Sequence, residues 1–292
     1  MKKTFLIAGG DLRFTTLADC LAQQHTVYAA GFDKTAMTSE KVCLENRIAD
    51  MNVRVDYIVL PLPVSSDGVT VNTPYSGSSL SIESLVPVIK ENGVVFGGMI
   101  APDIRRIFED KGIAVEDYAK REEFAVLNAV ATAEGAIQVA MEELATTLSG
   151  QKILILGAGR IAKVLIDMLD GFHADVTVAA RKCSDLAWAR VYGCEAVHIG
   201  NMDSAIAAAD VIFNTVPAVI LGAEKLKLIN KNCLVIDLAS KPGGVDFDTA
   251  GSLGIKAIWL LSLPGKVAPV TSGKVIAETI RNILSERGDV DG

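Results

Sequence analysis

Lys152-Ile153-Leu154-Ile155-Leu156-Gly157-Ala158-Gly159-Arg160-Ile161-Ala162 is the stretch on which the reading of this chain turns. An unbroken apolar run of strand length, with no polar alternation, suits a strand buried on both faces. The small residues after it then turn the chain sharply into a helix. Gly157 permits the tight turn, Gly159 lets a pyrophosphate approach the backbone, and Ala162 allows close helix–sheet packing. Free N–H groups and the helix dipole favour negative charge at that start, so Gly157, Gly159, Arg160, Ile161 and Ala162 form a candidate dinucleotide cradle. Tight strand-to-helix turns elsewhere use the same residues, so the surrounding sequence has to carry the argument.

A second strand, Asp175-Val176-Thr177-Val178-Ala179, follows the helix, and its end is where a carboxylate would bond the adenosine ribose of NAD. Ala180-Arg181-Lys182 stands there instead, with Ser184 just beyond. Two cations in place of a carboxylate suit a ribose 2′-phosphate, so the expected cofactor is NADP, with NAD as the alternative. The plain reading of Arg181 and Lys182 is a solvated loop.

Outward from this point the strand–helix rhythm continues in both directions. Downstream, Glu195 to His198, Val211 to Asn214, Leu234 to Asp237 and Lys256 to Trp259 complete a six-strand set with the two strands above. Upstream, Phe5 to Ala8, Thr26 to Ala29, Asp56 to Leu60, Gly93 to Phe96 and Ile113 to Val115 alternate with helical segments. Such alternation predicts an α/β protein with two Rossmann-like doubly wound parallel-sheet domains joined by a helix. The helix is expected to start at Thr132-Ala133-Glu134-Gly135, with Ala133, Ile137, Met141, Leu144 and Leu148 at helical spacing, and to end at Ser149-Gly150. A last helix near Ser272 to Leu284 carries Val275, Ile276, Ile280, Ile283 and Leu284 on one side and is expected to pack back on the first domain. The boundaries are a first domain over 1–130 with the helix of 270–292, a linker helix over 131–150, and the dinucleotide domain over 151–269.

Composition narrows the function classes. The chain has 292 residues, half of them apolar, and a net charge of −7 with no long basic run, which excludes an ordinary nucleic-acid binder. No apolar run reaches the roughly 18 residues that span a bilayer. Met1-Lys2-Lys3 leads directly into a strand without a signal-type cleavage site, so a cytoplasmic protein is expected. Cys20, Cys43, Cys183, Cys194 and Cys233 have no Cys-x-x-Cys spacing and read as reduced structural thiols. His25, His173 and His198 have no metal spacing, and no metal is expected.

Three strand ends of the second half carry polar or turn-forming residues and face the cofactor side of such a sheet. Asn214, Thr215, Val216 and Pro217, together with Ala239, are candidate contacts to the ribose and nicotinamide; Lys241 and Lys266 are candidate binders of substrate carboxylates, flanked by Ser240 and Gly265. The plain alternative is that Pro and Gly merely end these strands. Gly9-Gly10-Asp11 and Gly97-Gly98 read either as active-site loops or as simple turns. Arg13 is a further candidate for a substrate carboxylate. Glu134 is a candidate proton acceptor or a helix cap.

Asn128-Ala129-Val130 with Thr132-Ala133-Glu134, the Gly157 turn, and Asp237 to Gly244 resemble the cofactor domain of D-2-hydroxyacid dehydrogenases. Those enzymes follow with a Pro-His pair whose imidazole is the acid/base; here Pro264-Gly265-Lys266 stands, and no histidine follows His198. A resemblance over nearly the whole chain is to the A-subunit family of dipicolinate synthase. It rests on Gly9-Gly10-Asp11, Val27-Tyr28 with Gly31-Phe32-Asp33, Thr132 with Glu134-Gly135, Asn214 to Pro217, Asp237 to Ser240 with Pro242 to Gly244, and Leu263 to Pro269. It thins between about Met37 and Ser84. The resemblance implies an NAD(P)-dependent oxidoreductase that makes dipicolinate from dihydrodipicolinate, a small dicarboxylate, with a flavoprotein-like B subunit. It also implies an oligomeric assembly in the mother-cell cytosol of a sporulating bacterium. Two alternatives stand beside it: a D-2-hydroxyacid dehydrogenase-like oxidoreductase, and a non-catalytic NADP-binding regulatory subunit.

Overall fold

Ile153 to Leu156 are each at most 1% exposed, because their strand runs through the middle of a six-stranded parallel sheet covered on both faces. The structure, a computed structural model, describes residues 2–45 and 47–289. The first sheet and its helices are β1 (Thr4–Ala8), α1 (Leu12–Ala22), β2 (Thr26–Ala30), β3 (Val42–Glu45), β4 (Val55–Val59), β5 (Ile89–Gly97), α2 (Pro102–Glu109) and β6 (Ala114–Asp117). A long helix, α3 (Glu122–Glu143), precedes the second set, which opens with β7 (Lys152–Leu156), α4 (Arg160–Gly171), β8 (Asp175–Ala180) and α5 (Cys183–Val191). Then come β9 (Glu195–His198), α6 (Asp203–Ala208), β10 (Val211–Asn214), α7 (Ala223–Leu226), β11 (Leu234–Asp237), α8 (Phe247–Ser252), β12 (Lys256–Trp259) and α9 (Leu263–Val267). The last helix is α10 (Pro269–Glu286).

The strand orders are β3-β2-β1-β4-β5-β6 and β12-β11-β10-β7-β8-β9, every pairing parallel. The architecture is therefore two Rossmann-like doubly wound sheets. Each order reverses once, between β1 and β4 and between β7 and β10, and crevices for ligands open beyond the carboxyl ends of strands at such points. The chain forms two compact units, Met1–Asn128 with Ala268–Gly292, and Ala129–Val267.

In the first unit α10 packs back on α1, and the apolar side read from the sequence is the buried one: Val275, Ile276, Ile280, Ile283 and Leu284 are all at most 8% exposed. Gly273 allows the approach, since a Cβ there would run into the Arg13 carbonyl oxygen and the Thr16 side chain. The edge strand β3, Val42–Glu45, is not among the strands read from the sequence.

α3 begins at Glu122 and not at Thr132, and it stops at Glu143, short of Ser149. Glu122 and Glu123 place negative charge in the first turn, where the dipole favours it, and Glu123 is further held by Arg121 at 2.8 Å. By length and composition this helix could cross a membrane, yet Ala133, Ala136, Ile137 and Ala140 are built into the core of the second unit. A core helix passes the same test.

All five cysteines are free thiols. Cys43 and Cys183 are exposed, whereas Cys233 is buried and its burial pushes the thiol up to about 12. Iodoacetamide at pH 8 should therefore alkylate Cys43 and Cys183 within minutes and reach Cys233 only after denaturation. Peptide mapping that finds Cys233 labelled as fast as Cys43 would refute this placement.

Candidate functional site

The second unit's site is built on two neighbouring strand ends. β10 and β11 pair in register so that Asn214 lies beside Asp237, and both side chains are fully buried. The Asp237 carboxylate accepts hydrogen bonds from Asn214 Nδ2 at 2.8 Å, the Ala239 N–H at 3.0 Å and the Gly244 N–H at 2.7 Å. Asn214 in turn donates to the Val216 carbonyl at 3.0 Å and accepts from the Val216 N–H at 3.1 Å. One buried carboxylate thus folds the loop 238–244 and, through Asn214, the loop 215–217. Trp259 Nε1 adds a bond to the Ala239 carbonyl at 2.9 Å and stacks on Phe247.

The glycine turn is clasped from both sides. The Gly157 N–H donates to the Ala179 carbonyl of β8 at 2.8 Å, and the Thr215 hydroxyl donates to the Leu156 carbonyl at 2.8 Å. Gly157 has φ +99°, and a Cβ there would collide with that hydroxyl, so only glycine fits. Gly159 differs: it is exposed, caps α4 without any side-chain bond, and has no atom within 4 Å of where a Cβ would stand. That open space at a helix start is what a phosphate needs.

The carboxyl edge of this sheet gathers many of the sequence candidates. Gly159, Arg160, Arg181, Lys182, Ser184, Pro217, Ser240 and Lys241 are exposed there, and Ala162 is buried against the sheet. Arg181, Lys182 and Lys241 make no ion pair among the described residues. On a chain of net charge −7 this edge is locally cationic and suited to anions.

Several expectations change. Asn214 and Ala239 are buried and hold the loops together, so neither side chain reaches a ligand. The Thr215 hydroxyl is committed to the backbone. Lys266 and Gly265 lie on the short helix α9, not in a loop, because Leu263 and Val267 pack on Gly135 of α3. Lys266 remains exposed. Glu134 is exposed on α3 and lines a groove with Met168 of α4 and Phe172 just beyond that helix.

Arg13, in the first unit, is buried. It pairs with Asp11 at 2.8 Å and donates to the Leu62 carbonyl at 3.1 Å, so its charge is neutralised within the fold. Gly9-Gly10 proves to be a filled turn: the Gly10 N–H donates to the Asn72 carbonyl at 2.9 Å, and a Cβ on Gly9 would strike Asn72 and Val71. The segment around Asn72 thus takes up the Gly10 N–H and the space over Gly9, whereas the Gly159 turn is open. Gly97-Gly98 leads into Met99 at φ +55°, where the Met99 and Ile100 N–H groups bond to Asp117.

The organising role of Asp237 is the point that sequence reasoning missed. Its signal was present in the paired positions: a polar residue ends each of two adjacent apolar strands, which is costly in a core unless the two bond to each other.

Two family models match the chain. Residues 4–119 match the N-terminal domain of the dipicolinate synthase A subunit, and residues 123–241 match the NAD binding domain of D-isomer specific 2-hydroxyacid dehydrogenases. The dipicolinate synthase A subunit of Bacillus subtilis (strain 168) is 28% identical over 284 residues, which is 96% of this chain and 95% of that protein. The crystal structure of the dipicolinate synthase A subunit from Bacillus halodurans superposes with a TM-score of 0.89 at 30% identity, covering 97% of each chain. A transhydrogenase from Sinorhizobium meliloti, at 15% identity and a TM-score of 0.70 over 98% of this chain and 94% of that one, shares the fold.

Proposed function

This chain belongs to the A-subunit family of dipicolinate synthase, and on that footing we propose that it oxidises dihydrodipicolinate to dipicolinate with NADP, together with a B subunit, in the mother-cell cytosol during sporulation. The observation that carries the cofactor part is the open Gly159 turn beside Arg181 and Lys182, which are exposed and make no ion pair among the described residues. Gly159 and the first turn of α4 hold the diphosphate, and Arg181, Lys182 and Ser184 hold the 2′-phosphate.

A bound NADP supplies the acceptor for one hydride. The substrate gives up that hydride and releases one proton to water, and aromatisation of its ring drives the loss, so no strong base is needed. The protein's own work is to bind and orient. Lys241 and Lys266, both exposed cations of the second unit, hold the substrate carboxylates, with Ser240 and Gly265 beside them. Asp237 keeps Lys241 in place by fixing the loop on which it stands. The lack of any histidine after His198 weighs against the acid/base chemistry of the hydroxyacid enzymes.

The test is to give purified protein freshly generated dihydrodipicolinate and NADP, first by itself and then with the B subunit. NADPH and dipicolinate should form in equal amounts. Turnover of a 2-oxo acid with NADPH instead, or dipicolinate formed with no NADPH, would displace this reading. Arg181→Glu with Lys182→Glu should raise the KM for NADP by about 100-fold while leaving that for NAD within about threefold. Equal effects on both cofactors would refute the 2′-phosphate assignment.

A further inference from the structure

α3 carries a mismatch between composition and burial. It is apolar enough to belong wholly inside a protein, yet only 44% of its most apolar stretch is buried. Part of that exposure is Val126 and Leu127 in the first unit; in the second unit the exposed Glu134, Gln138, Met141 and Glu142 line a groove of about 560 Å³ between α3 and α4. Ile137 and Met168 form its floor and are anchored in the core, while Met141 and Phe172 stand on its walls 54% and 37% exposed. Exposed Met and Phe over a rigid apolar floor are what a docked helix covers: the thioether adapts to the incoming side chains and the aromatic ring supplies contact area.

The rim decides the occupant. Its charged residues are Glu134 and Glu142, and no Lys or Arg occurs anywhere in α3. A second copy laid on this groove would bring the same carboxylates of both copies together, which is unfavourable. An anionic membrane surface is repelled for the same reason. A helix whose apolar stripe is flanked by lysines or arginines satisfies both the floor and the rim.

We infer that the α3–α4 groove docks a basic amphipathic helix of the B subunit. This rests on the reading that the chain works with such a partner. The experiment titrates purified B subunit into the wild-type chain and into the Met141→Glu, Phe172→Glu and Glu134→Lys/Glu142→Lys variants by calorimetry. NADP affinity and melting temperature serve as checks of the fold, which surface substitutions outside the glycine turn should leave unchanged.

Each apolar-to-Glu change should weaken binding by about 30-fold or more, and the charge reversal should weaken it most at low salt. Wild-type affinity in Met141→Glu and Phe172→Glu would overturn the groove while leaving the partner in place. A wild-type chain that fails to bind the B subunit would overturn the partner reading together with the groove. A wild-type dimer in sedimentation that Met141→Glu dissociates would give the groove to a second copy and refute the inference.

Discussion

Replacing Gly159 with valine is expected to leave the fold intact and to remove dinucleotide binding. The position has φ −78°, which any L-residue adopts, and nothing lies within 4 Å of the site a Cβ would take. The melting temperature should therefore move by no more than about 2 °C. The same side chain would stand where the diphosphate must meet the N–H groups of α4. Loss of that approach should weaken NADP by at least about 100-fold, or about 2.7 kcal/mol. Calorimetric titration of NADP into the folded variant checks both halves. Unchanged affinity would remove the Gly159 turn from the cofactor site, whatever the sequence pattern suggests. Gly157 offers no such separation, because a Cβ there collides with Thr215 and strains the turn itself.

Asp237→Ala should be the most damaging single change in the second unit. It leaves Asn214 Nδ2 and the Ala239 and Gly244 N–H groups without their acceptor in a place closed to water. Each orphaned buried donor costs about 1–3 kcal/mol, and partial relaxation brings the sum to roughly 3–5 kcal/mol. That is a large share of the stability of a typical domain. Denaturant unfolding followed by tryptophan fluorescence would report it, since Trp259 is bonded to the same loop.

Asp237→Asn separates the contributions. Its amide oxygen can still accept from Asn214 and Ala239, but the NH₂ then faces the Gly244 N–H, donor against donor. A loss of about 2 kcal/mol, with the KM for dihydrodipicolinate raised through the displaced Lys241, is the expected result. An Asn variant as stable as the wild type would mean that the carboxylate is not the keystone of these loops.

The elements that could be read in advance are those whose cause is local. The apolar run of β7, the Gly157–Ala162 turn and the one-sided helix α10 announce themselves by period and by small residues, and each lies where its pattern places it. β3 and the first turns of α3 were not read in advance, the latter because no capping signal stands near Glu122. Among the candidates, the exposure of Gly159, Arg181, Lys182 and Lys241 was legible because exposure at a strand end needs only the strand. The surroundings of Arg13, Asn214 and Glu134 were not, because they include the Leu62 carbonyl, the Asp237 carboxylate and a groove made with another helix.

The sequence by itself determined two parallel sheets, the glycine turn and the cationic strand end beside it, since these follow from residues within a few positions of one another. Only the tertiary structure decided which of two glycine turns is open, that Arg13 is buried and bonded to the Leu62 carbonyl, and that Asp237 ties together the loops that carry the candidate lysine. The reason is physical: a buried charge or a filled turn is defined by what packs against it, and here those neighbours lie as far apart in the chain as Gly10 and Asn72.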